Sequence, residues 1–200
     1  RRRSAQTARR SLISEMRVIA GRLRNRALKA PTSQAIRPTS DRLRESLFNI
    51  LAHGYDDPVR DARVLDLFAG TGALGVEALS RGARFALFVD DGVEARGLIR
   101  ENVMELGLSG VTKIFRRDAT ALGDLTTLDP FDLAFCDPPY RKGLGEKALA
   151  SAASGGWLKD GALAILEEAA DAEIQLPENF SVEDERAQGE TILRILRYRA

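Results

Sequence analysis

From Arg63 onward the chain alternates short apolar runs with segments of helical periodicity, and that alternation restricts its fold more than any other feature. A strand that is apolar at nearly every position must be covered on both faces, which a parallel sheet layered between helices provides. The expected strands are 64–68, 85–89, 112–116, 133–136 and 162–166, with helices at 73–81, 92–106 and 144–153. The end of the chain reads differently. Residues 181–185 and 191–198 flank a Gly-containing turn and predict an antiparallel pair. The fold class is therefore α/β with a mostly parallel sheet, and 200 residues suit one such domain.

Ahead of that domain lies a basic segment. Residues 1–15 carry five Arg against Glu15, and 16–44 carry seven Arg and one Lys against Asp41. The net charge of the whole chain is only +1, so the remainder is acidic. Clustered positive charge at one end of an acidic body suggests a polyanion contact confined to that end, although a solvated basic face has the same composition. Residues 1–15 read as a basic tail, disordered or non-native, without assigned function. Residues 16–38 read as a β-hairpin and linker suited to that polyanion contact, and 39–200 as the main domain. Thr39, Ser40 and Asp41 offer N-caps to a helix whose Leu43, Leu47, Ile50 and Leu51 fall at helical spacing.

Cys136 is the one cysteine, which excludes an internal disulfide, and with His53 the one histidine no Cys/His zinc cluster can form. No metal is expected, and no apolar run approaches a membrane span. A reducing cytoplasm fits this composition.

Asp66-Leu67-Phe68-Ala69-Gly70-Thr71-Gly72-Ala73-Leu74-Gly75 sits where the first strand passes into a helix. Gly70, Gly72 and Gly75 spell a dinucleotide fingerprint, and Asp90 follows where a ribose-binding carboxylate belongs. Electrostatics argue against a nicotinamide cofactor, because Asp66 would repel a pyrophosphate yet could orient the ammonium of a methionine moiety. S-adenosylmethionine is the better candidate. Phe68, Gly70, Thr71 and Gly72 would then let the backbone pass close to it, Asp90 would accept its ribose hydroxyls, and Asp118 and the Ala119 amide would take its adenine.

Asp137-Pro138-Pro139-Tyr140 follows the fourth strand and is the most specific signal in the chain. An exocyclic amine on a base is a poor nucleophile, since its lone pair is delocalised into the ring. The Asp137 carboxylate and the Pro138 carbonyl can each accept one amino hydrogen and draw the nitrogen toward tetrahedral geometry. The prolines fix those acceptors, and Tyr140 can stack on a base taken out of its helix. Cys136 reads as a buried packing residue, and His53 and Trp157 receive no role.

Together these stretches resemble the bacterial 16S rRNA (guanine-966-N2)-methyltransferase family, from Met16 to the C-terminus. The likeness is most discriminating over Arg37-Pro38-Thr39-Ser40-Asp41-Arg42-Leu43-Arg44-Glu45-Ser46-Leu47-Phe48-Asn49, which looks like that family's first helix. The resemblance implies a monomeric Rossmann-like class I methyltransferase. It implies a seven-stranded sheet with the last strands reversed, and an N-terminal hairpin. Its substrate would be 16S ribosomal RNA in an assembled or partly assembled small subunit. It gives Arg17, Arg22, Arg24, Arg26, Lys29, Arg37 and Arg42 the task of gripping RNA phosphates. The family has Glu where Asp90 stands, with Asp91 the alternative. Adenine-N6 methylation of DNA and non-catalytic RNA binding remain the competing readings.

Overall fold

A computed structural model describes residues 16–32 and 40–200. The tail at 1–15, together with Arg37, Pro38 and the N-cap candidate Thr39, lies outside the described residues. Helix α1 (Asp41–Gly54) is capped by Ser40, whose hydroxyl accepts from the Leu43 amide at 3.2 Å. Then follow β1 (Arg63–Leu67), α2 (Ala73–Ser80), β2 (Phe85–Val89), α3 (Val93–Glu105), β3 (Thr112–Phe115), β4 (Phe131–Cys136) and α4 (Leu144–Ser154). The chain closes with β5 (Leu158–Ala169), β6 (Phe180–Gln188) and β7 (Thr191–Tyr198). The seven strands lie in the order β3-β2-β1-β4-β5-β7-β6. β1 to β5 pair in parallel, while β7 runs antiparallel to both β5 and β6.

Alternation along each strand sends successive side chains to opposite faces. Val64, Phe135 and Ile165 join one apolar cluster with α1, α2 and α3. Leu65, Ala134 and Leu166 join a second with α4 and Trp157. Both sheet faces are thus covered, as the apolar runs require. β6 is longer than expected because it is an edge strand whose exposed polar positions hide its periodicity.

Residues 16–28 turn back on themselves as a minimal hairpin, with Val18 N–H donating to Arg26 O at 2.9 Å, and no longer ladder extends from it. One antiparallel bridge joins Arg17 and Ala27, flanked by Leu28 N–H donating to Met16 O at 2.7 Å. The physical reason lies in the neighbouring helix. The amides of Ile19 and Ala20 donate to the Glu77 carboxylate at 2.8 and 3.0 Å, so they are spent on α2 and not on a partner strand. Gly21 sits at φ +79°, and a Cβ there would fall 1.9 Å from the Ser80 carbonyl oxygen. The segment is docked against the domain: Met16, Val18, Leu23 and Leu28 are buried in the core.

Candidate active site

The residue that follows the last parallel pair of each strand falls at the carboxyl edge of the sheet. Val89 pairs with Leu67, Leu67 with Cys136, and Cys136 with Leu166. One step beyond these last pairs, Asp90, Phe68, Asp137 and Glu167 follow one another across four adjacent strands. This is the edge where open α/β sheets bind ligands.

The glycine turn is shaped by left-handed backbone at Phe68, Gly70 and Gly72, with φ of 56°, 56° and 77°. Gly75 lets α2 lie against the sheet, since a Cβ there would stand 2.4 Å from the Phe88 ring. Asp66 lies one layer beneath the row, buried, and its Oδ2 accepts from the Gly75 amide at 2.9 Å. Burial pushes its pKa well above the usual carboxylate range, the Gly75 amide opposes the shift, and the charges of Asp137 and Asp90 add to it. Three carboxylates therefore share one small region behind and beside the turn.

Asp90 fastens that turn to the next helix. Its two oxygens accept from the Gly70 amide at 2.9 Å and the Gly92 amide at 2.8 Å. Asp118 is exposed and caps a short 3-10 turn, accepting from the Thr120 amide and hydroxyl at 2.8 and 2.7 Å, which holds its pKa below the ordinary value. Ala119 beside it is buried. Thr71 is buried too, its hydroxyl 3.8 Å from the Met16 sulfur.

In the tetrapeptide, Asp137 is half-buried, Pro138 buried, Pro139 exposed and Tyr140 half-buried. The Tyr140 hydroxyl donates to Glu167 Oε1. The next amide, of Arg141 at φ 61°, donates to Glu168 at 2.9 Å. Two successive glutamates at the end of β5 thus fasten the loop that carries the tetrapeptide. Glu167 shares the α1 face of the sheet with Ile165, whereas Glu168 faces α4 and lines a cavity of about 260 Å³ with Arg141, Gly143 and Glu146. Cys136 is buried, and burial pushes its thiol up, which makes it a packing residue and no nucleophile.

Arg17, Arg22, Arg24, Arg26, Lys29 and Arg42 are all exposed. Arg17 pairs with Asp41 at 3.6 Å, Lys29 with Glu105 at 3.2 Å, and Arg26 donates to the Glu105 carbonyl at 3.2 Å. Arg37 lies outside the described residues.

Sequence reasoning passed over Glu167, although an acid closing an apolar run was the same signal that marked Asp66 and Asp90. It also passed over a buried ionic knot, in which Glu77 receives the Ile19 and Ala20 amides and pairs with Arg44 and Arg81 at 3.7 and 2.7 Å. Asn102 is a third omission. Its oxygen accepts from the Lys29 amide at 2.7 Å and its amide donates to Thr71 O at 3.0 Å, which ties the N-terminal segment to the glycine turn.

The family described as conserved hypothetical protein 95 matches residues 16–197. Ribosomal RNA small subunit methyltransferase D of Escherichia coli strain K12 is 37% identical over 183 residues, 90% of this chain and 89% of that one. Its counterpart in Haemophilus influenzae is 34% identical over 177 residues, 88% of this chain and 90% of that one. The chain belongs to the ribosomal RNA small subunit methyltransferase D family. The solved structure of yhhF from Escherichia coli has a TM-score of 0.78 at 34% identity, covering 93% of this chain and 99% of that one. The family's match begins at Met16, so the docked segment is as much part of it as the sheet. Among the described residues, no helix is long and apolar enough to cross a membrane, and no group of His, Cys, Asp or Glu is placed to hold a metal ion.

Proposed function

We propose that this protein transfers a methyl group from S-adenosylmethionine to the exocyclic N2 amino group of a guanine in 16S ribosomal RNA. The observation that carries the reading is the adjacency of Asp137 and Asp66: the tetrapeptide that can activate an amine stands beside the carboxylate behind the glycine turn. Membership in a family whose relatives are named as small-subunit ribosomal RNA methyltransferases supports the substrate class.

The residues present fit the cofactor. Asp90 and Asp137 place negative charge beside the turn, which suits a cation and opposes a pyrophosphate. Gly70 and Gly72 would hold the methionine portion with Phe68 and Thr71, Asp90 the ribose, and Asp118 and Ala119 the adenine. Bound S-adenosylmethionine supplies a methyl group on a positively charged sulfur, a good leaving group. Asp137 and the Pro138 carbonyl accept the two amino hydrogens and aim the nitrogen lone pair, so positioning does most of the catalytic work. Tyr140 offers a ring for the extruded base to stack on. Arg22, Arg24 and Arg42, with the partly engaged Arg17, Arg26 and Lys29, contact phosphates and supply affinity without reading sequence. The protein acts as a monomer on an assembled or partly assembled small subunit.

The test is transfer of labelled methyl to undermethylated small subunits, followed by nucleoside analysis. N2-methylguanosine from the intact protein and none from Asp137→Ala supports the reading. N6-methyladenosine, or no transfer to any RNA, refutes it.

A further inference from the structure

We infer that Glu167 is a specificity-determining residue, whose carboxylate accepts the ring N1–H of the target guanine while Asp137 holds the neighbouring amino group. The inference rests on the base-methylating role of Asp137 argued above. Four observations carry it. Cys136 and Leu166 are the last residues that β4 and β5 pair with each other, so Asp137 and Glu167 follow side by side, Asp137 just past its strand and Glu167 still in β5 opposite Leu193. Glu167 lies on the face that carries Ile165 and Phe135, the α1 face, and not on the α4 face of Glu168. Its side chain is bonded to the hydroxyl of Tyr140, the ring on which the base would stack. It is 6% exposed, so water competes weakly for its oxygens.

The chemistry follows from the edge of the base. In guanine the amino group at C2 adjoins N1–H, so two donors lie next to each other. In adenine the amino group adjoins N1, an acceptor. A pair of neighbouring carboxylates meets the first edge with complementary hydrogen bonds and the second with lone-pair repulsion. A carboxylate offers two oxygens and about four lone-pair directions, so accepting the Tyr140 hydroxyl does not exhaust it. A buried site built to bond an N–H strongly rejects an analogue that lacks one, since its acceptor is then left unpaired.

The experiment uses small subunits reconstituted from ligated 16S RNA, carrying guanine or 2-aminopurine at the methylated position. 2-Aminopurine keeps the amino group but has an acceptor at N1. The wild-type protein should methylate guanine with kcat/KM at least tenfold above 2-aminopurine, on the order expected for one unpaired buried acceptor. Glu167→Gln, which keeps the size and an oxygen for Tyr140, should lower that ratio at least tenfold. Glu167→Met serves the same reading if the glutamine variant does not fold, as judged by thermal unfolding. A wild-type ratio near one, or a ratio that falls less than threefold in the variant, overturns the inference. A protein that methylates neither base fails the proposed function itself, a separate outcome.

Discussion

Asp137 is partly exposed and lies past the end of its strand, so replacing it disturbs the reaction far more than the fold. Asp137→Ala should reduce kcat by about 10²-fold or more, the usual consequence of losing alignment at a reacting atom, with the melting temperature nearly unchanged. Asp66 behaves in the opposite way, because it is buried and its pKa is raised. Below the unfolded value of about 3.9 both states are protonated and the group costs nothing. As pH climbs from there toward the raised folded value, the unfolded chain gives up its proton first, and stability falls. Asp66→Asn retains an oxygen for the Gly75 amide and removes this penalty. Melting across a pH series should therefore show the wild type losing ground to Asp66→Asn as pH rises, and a constant gap would contradict the account.

At the scale of elements, α2 is the piece on which the site depends, and it is pressed from both sides. Towards the sheet, a Cβ at Gly75 would meet the Phe88 ring at 2.4 Å and Asp66 Oδ2 at 3.1 Å. Gly75→Ala should cost about 1–3 kcal/mol as the helix shifts outward, measurable by denaturant unfolding. Away from the sheet, Glu77 is wholly buried and gathers Arg44, Arg81 and two backbone amides of the N-terminal segment. Glu77→Ala would leave Arg81 and the Ile19 and Ala20 amides without their acceptor and the buried Arg44 with Asp41 as its one remaining carboxylate, and a loss of about 3–5 kcal/mol should appear in the same assay. The periodicity of α2 was legible because its apolar residues repeat. The glutamate was not, since a buried acid is recognised only when its distant partners, Ile19 and Arg44, are known to lie beside it.

Across the whole molecule, charge is separated: the docked N-terminal segment is basic and the body acidic. Arg22 and Arg24 are exposed on that segment and, among the described residues, have no ion pair, unlike Arg17 and Lys29. If each meets one phosphate, removing both should lower the slope of log affinity against log salt by about 2, one per contact. Filter binding of 16S RNA at several salt concentrations measures this, and Arg22→Ala with Arg24→Ala should leave folding intact because neither side chain is buried. An unchanged slope would move the RNA contact elsewhere on the surface.

The sequence by itself determined the layered α/β plan, the order of its elements, and the residues that close β1 to β4. Each of those is written locally, as apolar runs of strand length, a glycine turn and a proline-fixed acid. Only the tertiary structure decided which of these acids are neighbours and which face they share. It also folded the N-terminal segment onto α2 and α3, where the hairpin is held by one bridge. The reason is physical: strand identity follows from a few adjacent residues, whereas the placement of Glu167 against Tyr140, or of Glu77 against Ile19, depends on sheet register and on contacts 27 and 58 residues apart.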